Sequence, residues 1–146
     1  MVIEAFNYTI KNEYNVRTPT SVWHKTIRTA KFVLCPSGFS LDSFRIWETL
    51  LLGAIPIVES NPPGLDRTYS NLPVLVVQNF SVVTPTFLEA AYPCFYKHAH
   101  LYNYEILRAS YWLNLTAWTA HTGSIDGMME NHPYRNKYCD FLPKNI

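Results

Sequence analysis

The sequence has little of three features that would each assign it to a class of protein. Three cysteines, Cys35, Cys94 and Cys139, are too few and too scattered for a disulfide scaffold or a four-thiolate zinc site. Their odd number leaves at least one thiol unpaired within the chain. Twelve basic against eleven acidic residues give a net charge of +1, which excludes the electrostatic footprint of nucleic-acid binding or a polybasic membrane patch. No run of about eighteen apolar residues is present, so no membrane-spanning helix is expected.

The chain does have enough apolar material for one folded domain. Of its 146 residues, 48% are hydrophobic and 16% are charged, which argues against global disorder and leaves room for a single domain. The aromatic share of 15% favours a packed or carbohydrate-contacting domain over a coiled coil. The first residues lack the charged and apolar segments of a signal peptide, so we expect no targeting signal in this chain.

Short apolar runs alternate with helical patterns along the chain. The predicted strands are the runs at 31–35, 54–58 and 74–77. The predicted helices cover 21–31, 43–52, 84–92 and 101–118. This alternation predicts an α/β fold, a Rossmann-like parallel sheet with helices on both faces. Three or four such units are fewer than a full doubly wound domain has, so the sequence resembles half of a larger fold.

Local signals predict several boundaries. Ser40 or Asp42 is a suitable N-cap for the second helix, and Thr84 with Pro85 starts the third. Pro56 lies within the second predicted strand and must occupy a position where no ladder donor is needed. The predicted domain organisation is an irregular segment at 1–20, a Rossmann-like domain at 21–122 and a polar tail at 123–146.

The loop after the first strand is the best candidate for a ligand site, because ligands of open α/β sheets bind beyond the carboxyl ends of the strands. Ser37 and Gly38 provide a hydroxyl donor and close backbone approach, and the next helix begins near Ser43 with free N–H groups that favour a phosphate. Arg45 adds a planar charge that can bind two phosphate oxygens. Glu48, about one turn further, can accept from two ribose hydroxyls. These residue types describe a nucleotide-sugar site.

Simpler interpretations stand beside this one. Arg45 and Glu48 can form an exposed ion pair worth roughly 0.2–0.5 kcal/mol on a domain that only mediates structural interactions. Glycines such as Gly38 occur at many strand–helix joins. Cys35 is expected to be a buried structural thiol.

Glu59, at the end of the second strand, is a further candidate for contact with the donor.

No metal site is expected from the sequence. His98 and His100 resemble a metal-binding pair, but no third ligand follows at a known spacing. Two histidines alone are more often surface residues than ligands.

Three blocks in order, 32–38, 43–50 and 53–58, resemble the C-terminal half of exostosin-type glycosyltransferases. The pattern of that family is a strand ending in Pro-x-Gly, then Ser-x-Arg-x-x-Glu-Ala-Leu, then Gly-x-Ile-Pro-Val. In this sequence Thr49 replaces the usual Ala and Ile57 the usual Val, both mild departures.

The resemblance, which covers roughly residues 25–115, implies a GT-B architecture of two Rossmann-like halves that face each other across a cleft. Ser37, Gly38 and the loop around them would receive the diphosphate of a nucleotide sugar, most often a UDP-sugar. Ser43 and Arg45 would contact the phosphates, and Glu48 would contact the ribose. A GT-B enzyme typically needs no bound metal, because the helix N-terminus and basic residues neutralise the leaving group.

The same resemblance implies sugar transfer to a glycan or glycoprotein acceptor in the Golgi membrane or lumen. In this architecture the N-terminal half supplies the acceptor surface and, in inverting enzymes, the catalytic base. We therefore expect the full-length protein to contain that half or a membrane anchor, and we assign no catalytic residue in this chain. The alternative is a non-catalytic nucleotide- or glycan-binding module with the same Rossmann-like fold.

Overall fold

A computed structural model describes residues 19–38, 42–60, 69–122, 136 and 138–141. Its helices and strands are α1 (Thr20–Thr29), β1 (Phe32–Leu34), α2 (Phe44–Leu51), β2 (Ile55–Glu59), β3 (Leu75–Val77), α3 (Pro85–Lys97) and α4 (Ala109–Thr122). Short 3-10 helices occur at Phe80–Val82, Ala99–Leu101 and Tyr104–Leu107. No helix in this described part of the chain has the length and apolar character that crossing a membrane requires.

The three strands form one parallel sheet in the order β1-β2-β3. Phe32 of β1 is in register with Ile55 of β2, and Ile57 of β2 is in register with Leu75 of β3. All residues of β3 are buried, as its β-branched composition predicts. The parallel sheet with its intervening helices confirms the predicted α/β, Rossmann-like fold class.

Successive strand residues point to opposite sides of the sheet, so both of its faces carry apolar side chains. Helices pack on both faces. On the first face, the buried strand residues pack with α1 and α2 in a core that includes Ile27, Val33, Ile46, Leu50, Val58 and Val76. On the second face, they pack with α3 in a core that includes Phe32, Ile55, Ile57, Leu75, Leu88 and Ala91. Each fully buried aliphatic side chain contributes about 1.5–3 kcal/mol, so both faces stabilise the sheet.

Pro56 lies in the central strand without breaking the sheet. The Ile55 amide donates to the Lys31 carbonyl oxygen at 3.0 Å, so the next residue of β2 faces β3 rather than β1. Pairing between β2 and β3 begins only at Ile57 and Leu75, one residue after the proline. No ladder donor is therefore lost, as the sequence predicts.

The N-cap of α2 differs from the prediction. Ser43 has an extended backbone, and its Oγ accepts from the Arg45 amide at 3.3 Å, which makes Ser43 the cap. Asp42 is not the cap, because its carboxylate accepts instead from the Trp47 indole. Ser40 lies outside the described residues.

The third predicted helix has its predicted start but a later end, and the fourth differs from the prediction at both its start and its end. Thr84 caps α3, with its Oγ1 accepting from the Phe87 amide at 3.1 Å and Pro85 in the first helical position. α3 then continues past Pro93 to Lys97, because it still buries apolar side chains against the sheet beyond that point. The single helix predicted over 101–118 is two 3-10 helices followed by α4.

A disulfide between Cys94 and Cys139 joins α3 to the C-terminal segment, with a Cα–Cα distance of 5.9 Å. Nearby, the buried Asn136 side chain donates to the carbonyl oxygens of Leu72 and Val74 at 2.8 and 3.2 Å. Asn136 also accepts through Oδ1 from the Cys139 amide at 2.8 Å. The described part of the segment predicted as a polar tail therefore packs on the domain.

Candidate functional site

The loop that leaves β1 is exposed at the carboxyl edge of the sheet. Ser37 and Gly38 both lie on the surface. A Cβ placed on Gly38 would meet no atom within 4 Å, so the fold itself does not require glycine there. The predicted reason for Gly38, close approach of a ligand, therefore stays a prediction. Residues 39–41 of the loop lie outside the described residues.

The first turn of α2 points back toward this edge. Ser43 Oγ accepts from the Arg45 amide, and the Ser43 carbonyl oxygen accepts from the Ile46 amide at 2.9 Å. The hydroxyl proton of Ser43 is not used in this cap, since the oxygen acts as acceptor. Ser43 can therefore stabilise the helix and still donate to an anion placed at its N-terminus.

Arg45 and Glu48 meet at the same side chain, Trp23 of α1. The Trp23 indole Nε1 donates to Glu48 Oε2 at 3.2 Å. The Arg45 guanidinium carbon lies over the indole ring, 5.4 Å from its centroid, which is within the range of a cation–π contact. All three side chains are half-buried. The two predicted binding residues thus converge on one ring rather than diverging into solvent.

The simple ion-pair interpretation of Arg45 and Glu48 does not hold. Within the described ranges, the one ion pair joins Arg108 to Glu105 at 3.5 Å, and both of these side chains are largely exposed. The carboxylate of Glu48 is instead directed to the indole N–H of Trp23.

A second set of side-chain contacts orients the residues at the start of α2. Asp42 Oδ1 accepts from Trp47 Nε1 at 2.9 Å and from the Tyr69 hydroxyl at 2.8 Å. The rings of Trp47 and Tyr69 also meet edge to face, with centroids 6.1 Å apart. Tyr69 precedes β3, so this group ties the start of α2 to the segment that leads into β3.

Sequence reasoning missed Trp23 and the Asp42 group as parts of the site. Trp23 and Glu48 are 25 residues apart, and Asp42 and Tyr69 are 27 apart. Local spacing carries no information on such contacts. Trp23 lies within the first predicted helix, 21–31, and that prediction does not say which distant residues it contacts.

Glu59 lies at the end of β2 on the same edge and is half-buried. Its Oε1 accepts from the Phe80 amide at 2.8 Å, which ties the end of β2 to the loop after β3. The observed contact gives Glu59 a structural role. Its predicted contact with the donor sugar stays a prediction.

Cys35 is a buried thiol directly before the candidate loop, as predicted. Its Sγ lies 3.7 Å from Thr49 Oγ1, and Thr49 is fully buried. Burial raises the pKa of the Cys35 thiol to about 11, so the neutral form predominates at physiological pH. A neutral, inaccessible thiol is not a nucleophile.

His98, the first member of the predicted histidine pair, lies against the disulfide. Its Nδ1 is 3.6 Å from Cys94 Sγ and 3.7 Å from Cys139 Sγ. These three ligand atoms are close together, but sulfurs bonded to each other do not provide the thiolates that a metal requires. His100 is not part of this group.

Comparison with the models of known protein families gives a match. The sequence model of a family described as RXYLT1 C-terminal domain matches residues 5–83, which is 79 of the 146 residues. The matched range contains β1, α2 and β2 together with every predicted site residue. A search of curated proteins finds no match.

Proposed function

The chain belongs to the RXYLT1 C-terminal domain family of exostosin-like glycosyltransferases, and from that premise we propose that it binds a nucleotide-sugar donor at the carboxyl edge of its sheet. The donor is a UDP-sugar, and the sugar is transferred to a glycan or glycoprotein acceptor. The observation that carries the proposal is the convergence of Arg45 and Glu48 on the Trp23 ring beside the exposed β1 loop.

In this proposal the diphosphate lies between the β1 loop and the first turn of α2. The positive end of the helix dipole and the Ser43 hydroxyl favour an anion there. The Arg45 guanidinium has no carboxylate partner among the described residues, so its charge is available for phosphate oxygens. Its place over the indole ring restricts the side chain without neutralising it.

The ribose lies one helical turn further along α2, beside Glu48. Glu48 follows Arg45 by three residues, an advance of about 4.5 Å along the helix, which suits a ribose directly attached to the diphosphate. Glu48 uses Oε2 for the indole N–H, and a carboxylate has further lone pairs that accept from the ribose hydroxyls. Arg45 and Glu48 therefore contact adjoining parts of one nucleotide.

During transfer a hydroxyl oxygen of the acceptor forms a bond to the anomeric carbon of the sugar and gives its proton to a base. The bond between the sugar and the diphosphate breaks, and UDP leaves with both bonding electrons. Negative charge then develops on the leaving phosphate oxygen, where the α2 N-terminus and Arg45 stabilise it. Groups fixed in place before the reaction do this without reorganisation. The proposal assigns no bound metal to this step.

The acceptor surface and the catalytic base come, in this proposal, from an N-terminal Rossmann-like half of the full-length protein in the Golgi lumen. Apolar side chains on the outer side of α2 support such a neighbour. Phe44 is 89% exposed and Leu51 is 65% exposed, although both are large and apolar. The buried side of α2 is formed instead by Ile46, Thr49 and Leu50.

The direct test is thermal unfolding of the chain with and without UDP. A ligand that binds only the native state at about 100 times its dissociation constant adds about 2.7 kcal/mol, so the Tm should rise with UDP concentration. Inorganic diphosphate and uridine, each at the same concentration, are the matched partial ligands and should act more weakly. A Tm that does not respond to millimolar UDP would contradict the proposal, and binding without transfer by the full-length protein would favour a non-catalytic module.

A further inference from the structure

We propose that Trp23 is a positioning residue of the donor site. Its indole N–H orients the Glu48 carboxylate toward the ribose, and its ring supports the Arg45 guanidinium beside the diphosphate. The inference rests on the proposed function and extends it to a residue of α1, which lies before the blocks that resemble the family pattern.

The geometry gives Trp23 two separate contacts with two different parts of the site. The N–H contact to Glu48 Oε2 is 3.2 Å, and the Arg45 guanidinium carbon is 5.4 Å from the ring centroid. Trp23 is the side chain through which α1 reaches both predicted binding residues. The half-buried ring of Trp23 packs against the buried side chains on the first face of the sheet.

The physical effect is pre-organisation. Glu and Arg are long side chains that lose much rotamer freedom when a ligand fixes them. A side chain that is already held before binding loses less conformational entropy when the ligand binds, so the ligand binds more tightly. Trp23 holds Glu48 through one oxygen, which leaves the other free to meet the ribose hydroxyls.

The two contacts can be separated by substitution. Trp23→Phe keeps an aromatic ring for Arg45 but removes the N–H that orients Glu48. The loss should therefore appear in recognition of the ribose and not in recognition of the diphosphate. Trp23→Leu removes both contacts and should weaken binding of both parts.

The experiment compares dissociation constants for UDP and 2′-deoxy-UDP, measured by calorimetry on the whole chain. If Glu48 binds the ribose diol, the wild-type protein should bind the deoxy analogue about tenfold more weakly. In Trp23→Phe this ratio should fall to about two, because a Glu48 that is not oriented gains little from the second hydroxyl. A merely structural role for Trp23 would weaken both ligands equally and leave the ratio unchanged.

Trp112→Phe is the matched control. The Trp112 indole N–H also makes a hydrogen bond, to the Ile106 carbonyl oxygen at 2.8 Å, and its ring meets that of Tyr111. Neither contact involves Arg45 or Glu48. This variant loses the same chemical group from the same residue type. It should keep the wild-type ratio for the two ligands.

The outcomes separate this inference from the function on which it rests. If wild-type protein does not bind UDP, the proposed function fails. If wild-type protein binds UDP and discriminates against the deoxy analogue, but Trp23→Phe discriminates equally well, the positioning role is overturned and the function stands.

If Trp23→Phe does not fold, the wild-type protein still provides the test through its indole ¹H–¹⁵N resonances. The Trp23 signal should shift more with saturating UDP than with 2′-deoxy-UDP. Equal shifts with both ligands, or none with either while UDP binds, would overturn the role.

Discussion

Cys35 Sγ lies 3.7 Å from Thr49 Oγ1, and both side chains are buried directly beneath the β1 loop. Thr49 stands where the family pattern has alanine, so the hydroxyl in this chain occupies a position that is usually apolar. The thiol also approaches the Val33 carbonyl oxygen at 3.5 Å. The two side chains therefore have polar contacts inside the core.

The buried thiol should make folding stability depend on pH in the alkaline range. The folded pKa of Cys35 is raised from 9.0 to about 11, mainly by burial. Its neutral form therefore stabilises the fold fully below about pH 9, and this contribution is lost as the pH rises through about 11. A pKa shift of about two units corresponds to a loss of about 3 kcal/mol in the free energy of unfolding once the pH is above about 11. Urea unfolding of wild type and Cys35→Ala at pH 8, 9.5 and 11 measures the difference.

The comparison of the two proteins isolates Cys35, because every other titrating group is shared. The stability of the wild type should decline more steeply between pH 9 and 11 than that of Cys35→Ala. Parallel decline in both proteins would show that the thiol is not desolvated in the folded state.

The Cys94–Cys139 disulfide should be a major source of stability. It closes a loop across 45 residues, and restricting the unfolded chain in this way contributes about 4 kcal/mol in the chain-entropy model. We expect the double variant Cys94→Ser, Cys139→Ser to lose about 2–4 kcal/mol of unfolding free energy. Denaturant unfolding measures this loss directly.

A reducing agent provides the control for the disulfide. Dithiothreitol should destabilise the wild-type protein by a similar amount and should leave the double variant unchanged. A double variant as stable as the oxidised wild type would show that the C-terminal segment packs on α3 without the covalent bond.

Glu59 offers a test between a structural and a donor-binding role. Its carboxylate accepts from the Phe80 amide at 2.8 Å. Glu59→Gln keeps an oxygen acceptor for this amide, whereas Glu59→Ala removes it and should lower stability by about 0.5–1.5 kcal/mol. If Glu59 also contacts the donor sugar, Glu59→Gln should bind a UDP-sugar more weakly while binding UDP normally. Unchanged affinity for both ligands would leave Glu59 with its structural role alone.

The elements that could be predicted from the sequence are those set by local physics. The β3 run is rich in β-branched residues and is buried throughout. α3 starts where its capping residues predict, with Thr84 as the N-cap and Pro85 as the first helical residue. These signals act within a few residues, so one sequence is enough to predict them.

The features that could not be predicted depend on contacts between distant parts of the chain. The third helix was predicted to end at residue 92, but packing of the buried Phe95 extends it to Lys97. The pairing of Cys94 with Cys139 follows from the fold and not from their spacing. The same holds for the site, where the loop and α2 were predicted but the Trp23 ring that joins Arg45 to Glu48 was not.

The central claim is that the Glu48 carboxylate holds the ribose of a uridine nucleotide. The most direct measurement is calorimetric titration of UDP into wild type and Glu48→Ala, with Glu105→Ala as the control. Glu105 is an exposed carboxylate paired with Arg108 and outside the site. The account predicts that Glu48→Ala binds UDP about 1–3 kcal/mol more weakly, while Glu105→Ala binds as the wild type does. Equal affinity in the wild type and a folded Glu48→Ala would contradict it.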